Sequence, residues 1–199
     1  FSLKLIKLKF NSNLISFKIS YNAGSFNKTI LNLFIMIITL NKNIIRFNQF
    51  KLKCSVGKGG IKKKIKEGDK ITPKGSYFLD KLYYRQDRIK ELRTKLKSII
   101  IKKNMGWSDD PRSKKYNRRI NLSNNQKYSY ERLYRKDHNY DLLIPIKYNY
   151  KNPIKNKGSA IFLHLTANYK PTAGCIALKK KDFMVMLNLI NKKTKIKIV

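Results

Sequence analysis

From Met36 onward, hydrophobic and polar residues alternate at the two-residue period of a half-buried strand. MIITL (36–40), a two-residue break and IIRFN (44–48) predict a hairpin, and FKLKCSV (50–56) predicts a third strand. Gly57-Lys58-Gly59-Gly60 ends that strand as a turn; it lacks the Gly-Lys-Ser/Thr ending and the following helix of a phosphate-binding loop. Thr72-Pro73-Lys74-Gly75 predicts another turn, with SYFLDKLYY (76–84) as the strand after it. Residues 85–104 are basic and read as helix or loop, and 106–130, polar and rich in Asn, Ser and Tyr, read as a long surface excursion. YDLLIPI (140–146) returns to strand, and the near-continuous apolar run GSAIFLHL (158–165) predicts a buried one. CIAL (175–178) is a short strand. KKKDFMVMLNLINKK (179–193) then puts Phe183, Met186, Leu187 and Ile190 on one helical face, with Asp182 at the end that favours negative charge. TKIKIV (194–199) closes the chain as an alternating strand. The pattern predicts a mainly β fold with one or two helices, one of them amphipathic and directly after the strand of Cys175, and shows no internal repeat.

Residues 1–35 stand apart: they hold five Lys and no acidic residue, and their strand–turn rhythm is weak. The apolar run TILNLFIMIITL (29–40) follows Lys28 like the hydrophobic part of a secretory signal, but Asn41-Lys42-Asn43 follows in place of a small-residue cleavage site. Since the chain begins with Phe1, the preferred reading starts the protein at Met36, with MIITL as its first strand. That gives an N-terminal extension over 1–35 and one domain over 36–199.

The composition narrows the class. With 42% hydrophobic and 12% aromatic residues the chain can bury a core and is not a disordered basic tail. Two Cys exclude a disulfide-dense mini-protein, and no apolar run approaches the roughly 20 residues of a membrane-spanning helix. The 46 Lys+Arg against 11 Asp+Glu give a net charge of +35, a field that draws anions. Lys, Asn and Ile dominate throughout, as A/T-rich codons would dictate, and Lys far outnumbers the Arg that reads phosphates and bases best. Nucleic acid is therefore not the favoured partner, and an anionic wall polymer would feel the same field.

The candidate chemistry is concentrated in His164–Leu178. A His ends one predicted strand, a Cys opens the next, and the nine-residue loop 166–174, stiffened by Pro171, lies between them. Paired strands would bring the imidazole to the thiol, where it can take the proton and leave a thiolate. Gly174 permits a sharp turn and close substrate approach, and the amides of Gly174 and Cys175 could face a developing oxyanion. A buried, inert Cys175 and a core His164 satisfied by a carbonyl are the competing readings. No pair among Cys54, His138, His164 and Cys175 has metal-ligand spacing, so neither metal nor cofactor is expected. A Cys54–Cys175 disulfide stays open at this level.

GSAIFLHL, PTAGCIAL, the amphipathic helix and the final strand together resemble the catalytic C-terminus of the L,D-transpeptidase (YkuD-like) family, which carries a His, a short loop and a Ser/Thr-x-Gly-Cys motif. Thr72-Pro73-Lys74-Gly75-Ser76-Tyr77-Phe78 resembles the family's turn and strand. Trp107-Ser108-Asp109-Asp110-Pro111, Tyr116-Asn117 and Asp137-His138-Asn139-Tyr140-Asp141 resemble a bacterial subfamily. The resemblance covers about 36–199. It implies a β-sandwich of mixed sheets and Cys175 as nucleophile with His164 as general base. Gly174 and Cys175 would be the backbone oxyanion donors, and Thr172, His138 and Tyr140 substrate-binding candidates. It also implies peptidoglycan stem peptides as substrate, acylation by carbapenems and a location in the cell envelope. Two positions depart from the family: its second His is Ala173 here, and Ile176-Ala177-Leu178 lacks the Arg that follows the Cys. The departures leave both transpeptidation and carboxypeptidase-type hydrolysis open, and a non-enzymatic basic nucleic-acid-binding module is the alternative from another class.

Overall fold

The computed structural model describes residues 2–10, 13–21 and 36–199. It divides into two compact units, Phe1–Ile35 and Met36–Val199. In the first, β1 (Ser2–Phe10) and β2 (Asn13–Tyr21) pair antiparallel in register from Ser2–Tyr21 to Phe10–Asn13. The absence of a clear strand–turn rhythm there is corrected: both stretches are paired strands, although the alternation of SLKLIKLKF slips by one at Leu5-Ile6. The signal-like reading of 29–35 lies outside the described residues. No helix among the described residues is long and apolar enough to cross a membrane.

The second unit opens as expected with three antiparallel strands, β3 (Ile37–Asn41), β4 (Ile44–Phe47) and β5 (Phe50–Ser55). Two short strands follow, β6 (Ile61–Lys62) and β7 (Thr72–Pro73), which pair with each other. The turn predicted over 72–75 is thus a strand end: β8 (Gly75–Phe78) starts one residue after β7. The single strand predicted over 76–84 is two, because β9 (Leu82–Tyr84) belongs to a distant part of the sheet. The basic stretch 85–104 is mostly loop and ends in β10 (Ser98–Ile100).

The largest correction concerns 106–130. In place of a surface excursion it contributes most of a three-stranded antiparallel sheet, β11 (Met105–Ser108) between β12 (Arg118–Asn121) and β13 (Tyr130–Arg132). Its apolar residues are few but well placed: Trp107 is buried, and its indole N–H donates to Asn117 Oδ1 at 2.9 Å. One large ring carries as much apolar surface as a whole run of smaller residues, so a polar composition concealed a covering layer.

The remaining elements follow the sequence: β14 (Leu142–Pro145), β15 (Phe162–Leu165), β16 (Ile176–Leu178), α1 (Lys180–Leu189) and β17 (Lys195–Ile198). α1 is the only helix among the described residues. It buries Phe183, Met186 and Leu187, and the buried Ile190 caps its C-terminus. Ten strands form one mixed sheet in the order β10-β9-β14-β15-β16-β5-β4-β3-β17-β8. In it β15 and β16 are parallel, with Leu163 opposite Ile176 and His164 opposite Ala177.

Strands β14, β15 and β16 are buried on both faces, and alternation sorts their side chains into two cores. Leu142, Ile144, Leu163, Leu165, Ile176 and Leu178 point into the larger core with α1. Leu143, Phe162 and Cys175 point into a second core with Trp107, Tyr83 and Tyr140. Here Trp107 meets Phe162 edge to face at 5.2 Å between ring centres, a favoured aromatic geometry. The segment from Phe162 to Cys175 thus contributes to the floor of an aromatic layer.

Candidate active site

Because β15 and β16 are parallel with His164 opposite Ala177, Cys175 lies two positions before Ala177 and shares the face of His164 and Phe162. The two side chains are diagonal neighbours on adjacent strands, a relationship that separates backbones by roughly 7–8 Å and lets longer side chains meet. Both line one cavity of about 800 Å³, together with Tyr140, Thr172, Glu131 and Arg135. Pairing of these two strands, the condition for the imidazole to approach the thiol, is met.

The Cys175 turn is held from three sides. Gly174 has φ +136°, a conformation that L side chains rarely adopt. Its carbonyl accepts the Thr72 hydroxyl at 2.9 Å, and that oxygen accepts the Gly57 N–H at 2.8 Å. The Thr172 hydroxyl donates to the Cys175 carbonyl at 2.6 Å and accepts the Gly174 N–H at 3.1 Å. A Cβ at Gly57 would stand 2.9 Å from Gly174 Cα and 2.2 Å from the Lys70 carbonyl oxygen. The first glycine of the 57–60 segment is thus a point of close backbone approach behind the Cys motif as well as part of a turn. Thr172 braces the loop, and its hydroxyl is occupied in doing so.

Cys175 as a whole is only 8% exposed, and its thiol is hydrogen-bonded within the chain. It donates to the Ala160 carbonyl at 3.2 Å, and the Phe162 N–H donates to Sγ at 3.4 Å. Asn117 supports this arrangement, since its Oδ1 takes both the Trp107 indole N–H and the Ala160 N–H. Burial pushes the Cys175 thiol up to about 12, against a smaller lowering by the Phe162 N–H. Burial likewise lowers His164 to about 4, outweighing the Leu165 and Asn139 carbonyls that favour its charged form. His164 Nδ1 lies 2.8 Å from the Leu165 carbonyl oxygen. A carbonyl can only accept, so Nδ1 carries the hydrogen and Nε2 keeps the lone pair that a general base needs.

Burial thus works against both charged forms at this pair, the thiolate and the imidazolium. The cause is the second core: aromatic surroundings disfavour both charged forms. At pH 8 a thiol titrating near 12 holds about a thousandfold less thiolate than one titrating near 9. Iodoacetamide labelling of Cys175, read by peptide mapping, should be slower than that of free cysteine by a similar order and should rise about tenfold per pH unit to beyond pH 10. A plateau near pH 7 would instead reveal a thiolate–imidazolium pair.

The other expected site residues divide. Tyr140 lies in the cavity wall, its ring edge-on to His164 at 5.2 Å between centres. His138 is not brought there: its side chain is 79% exposed, and Nδ1 is 2.7 Å from Asp141 Oδ2, so that carboxylate holds it at the surface. Cys54 is a free thiol in the larger core, as Cys175 is in the second, so the possible disulfide is not formed. Sequence reasoning missed the acid–base group over Tyr140. The Arg135 guanidinium lies 4.9 Å over the Tyr140 ring and pairs with Glu131 at 2.9 Å and with Asp137 at 2.6 Å. Burial raises the Glu131 carboxyl, with Arg135 opposing, while Arg135 holds Asp137 low. Thr72 and Asn117 lay inside motifs quoted for the resemblance, but nothing in their spacing showed that one braces Gly174 and the other Ala160.

The L,D-transpeptidase catalytic domain family matches residues 33–198. A search of curated proteins finds no match. Among solved structures, an L,D-transpeptidase from Mycobacterium smegmatis aligns with a TM-score of 0.37 and 11% identity, over 98% of this chain and 67% of that one. Mycobacterium tuberculosis L,D-transpeptidase 1 aligns with a TM-score of 0.34 and 11% identity, over 83% of this chain and 60% of that one. The chain thus spans about two thirds of the length of the first and three fifths of the second.

Proposed function

The chain belongs to the L,D-transpeptidase catalytic domain family, and from that premise we propose that it is a cysteine acyltransferase of peptidoglycan stem peptides, with Cys175 as nucleophile and His164 as general base. The observation that carries the reading is the placement of Cys175 and His164 on one face of adjacent strands, in one cavity, with Nε2 carrying the imidazole's free lone pair.

Attack begins when the thiol proton leaves the Ala160 carbonyl for His164 Nε2 and Sγ bonds to the carbonyl carbon of the stem's diamino acid. Negative charge then develops on the carbonyl oxygen. The Gly174 N–H is engaged by Thr172, so the Cys175 N–H is the backbone donor assigned to it. Collapse breaks the C–N bond, and the imidazolium gives its proton to the departing D-amino acid, leaving a thioester on Cys175. In the second half-reaction an acceptor amine loses a proton to His164 and takes the acyl group, and the thiol is restored. Burial that works against both charged forms suits this cycle, since charge appears only as the bond forms.

Hydrolysis by water is the second reading, favoured by Ala173 standing where the family carries a second imidazole. Incubation of the protein with a tetrapeptide stem and an excess of acceptor stem separates the two. Transfer predicts a joined peptide and free D-amino acid in equal amounts by mass spectrometry, whereas hydrolysis predicts tripeptide and free D-amino acid with no joined peptide. The setting proposed is the cell envelope, where a surface of net charge +35 would hold the enzyme on anionic wall material.

A further inference from the structure

A second cavity, of about 940 Å³, adjoins the first and shares Arg135 with it. Its lining is mainly cationic, with Arg85, Arg88, Lys103, Arg132, Arg135 and Lys136 against one carboxylate, Asp137, which Arg135 pairs. Compositional bias alone would fill such a surface with lysine. Only nine of the 46 basic residues are arginine, yet four of those nine line this one cavity. Arginine's fork matches an oxyanion in two-point fashion, and three of the four use it on the protein's own carboxylates, which leaves Arg132.

The six cations fall into two groups. Arg85, Arg88 and Arg135 are spent on the protein itself. Arg85 pairs with Asp87 and donates to the Arg135 carbonyl at 2.8 Å. Arg88 pairs with Asp141 and donates to the carbonyls of Asp137 at 2.8 Å and Lys136 at 3.0 Å. These bonds fix the 135–137 backbone, and with it the guanidinium over Tyr140. Arg132, Lys103 and Lys136 are exposed and, among the described residues, have no carboxylate partner. Three exposed cations without a carboxylate partner thus line one cavity, a surface that would attract carboxylates. The volume exceeds that needed for a simple ion and suits part of a peptide.

We infer that this cavity is a binding site for the carboxylates of the peptide whose acyl group is transferred at Cys175, the chain of that peptide passing over Arg135 from one cavity to the other. The assignment rests on the function proposed above and adds to it a specificity: the enzyme would prefer stems that keep their carboxylates free over stems in which they are amidated. Continuity of the two cavities through one residue favours the substrate itself over a separate wall polymer or a nucleic acid.

The test uses the full chain carrying Cys175→Ala, so that binding is measured without turnover. The probes are a stem tetrapeptide with free carboxylates, the same peptide amidated, a glycerol-phosphate oligomer and a single-stranded oligonucleotide. The free-carboxylate peptide should bind at least about tenfold tighter than the amidated one at low salt, with the difference shrinking as salt is raised. Adding Arg132→Gln, Lys103→Gln and Lys136→Gln, all exposed positions, should erase that difference. Equal binding of the two peptides, or a preference that survives the triple substitution, would overturn the inference. Dependence on the three side chains for the phosphate oligomer or the oligonucleotide, but not for the peptide, would overturn it as well. Carbapenem acylation of the unsubstituted protein is read separately, so failure of the enzyme reading is not confused with failure of this site.

Discussion

Replacing Cys175 with alanine should abolish covalent acylation altogether. A carbapenem offered to the unsubstituted protein is expected to raise its intact mass by one adduct, as the family's chemistry implies, and Cys175→Ala should show none. The effect is all or nothing because the other thiol is out of reach: Cys54 is 2% exposed in the core on the far side of the sheet, and burial has pushed it up to about 12. Cys54→Ala should therefore keep the adduct. The substitution at 175 removes one sulfur and leaves the Ala160 carbonyl without its thiol donor, a loss on the order of 1–2 kcal/mol that a folded domain tolerates. An adduct that persists in Cys175→Ala with an unchanged near-ultraviolet dichroism spectrum would remove the central assignment.

His164→Gln should slow acylation by about 10²–10⁴-fold, the usual contribution of a positioned general base, without loss of the fold. The pH profile carries the sharper expectation. The imidazole titrates near 4 when folded, so it stays an unprotonated base through the whole neutral range and the acylation rate of the unsubstituted protein should be flat from about pH 5 to 8. Below about pH 4 the rate should fall roughly tenfold per unit. An acid limb centred near 6.5 would mean that His164 is not buried as described. The same depression makes stability pH-dependent. The unfolded imidazole binds its proton below about 6.5 and the folded one only near 4, so between those values the unfolded chain holds the extra proton. This contribution to stability is complete above about pH 6.5 and is lost as pH falls, by about 3 kcal/mol at pH 4. Denaturant midpoints for His164→Gln should decline less over that interval than those of the unsubstituted protein.

Legibility in the sequence followed the strength of the local pattern. FKLKCS, FLHL and KIKI announced themselves because strict alternation or an unbroken apolar run has one strand reading, and KKDFMVMLNL because its apolar residues recur at the helical period. The 105–132 layer did not, because a few buried residues, Trp107 above all, do the work that a run of small apolar residues does elsewhere. His138 sits among residues quoted for the resemblance, but its exposed position follows from Asp141, three positions along, whose carboxylate lies against its ring. Arg135 and Glu131 carried no signal, being two charges in a chain full of them.

The sequence by itself determined the mainly β class, the helix after the Cys strand and the candidate pair of thiol and imidazole, since each depends on residue type and spacing over a few neighbours. Tertiary structure alone decided that β15 and β16 run parallel, which puts His164 and Cys175 on one face. It also decided that an aromatic layer buries both and works against their charged forms, that Thr72, Gly57 and Asn117 brace the turn from distant segments, and that four scarce arginines gather beside the cavity. Contacts between positions tens of residues apart, and the desolvation they impose, are set by the packing of the whole sheet, and no local stretch of the chain encodes them.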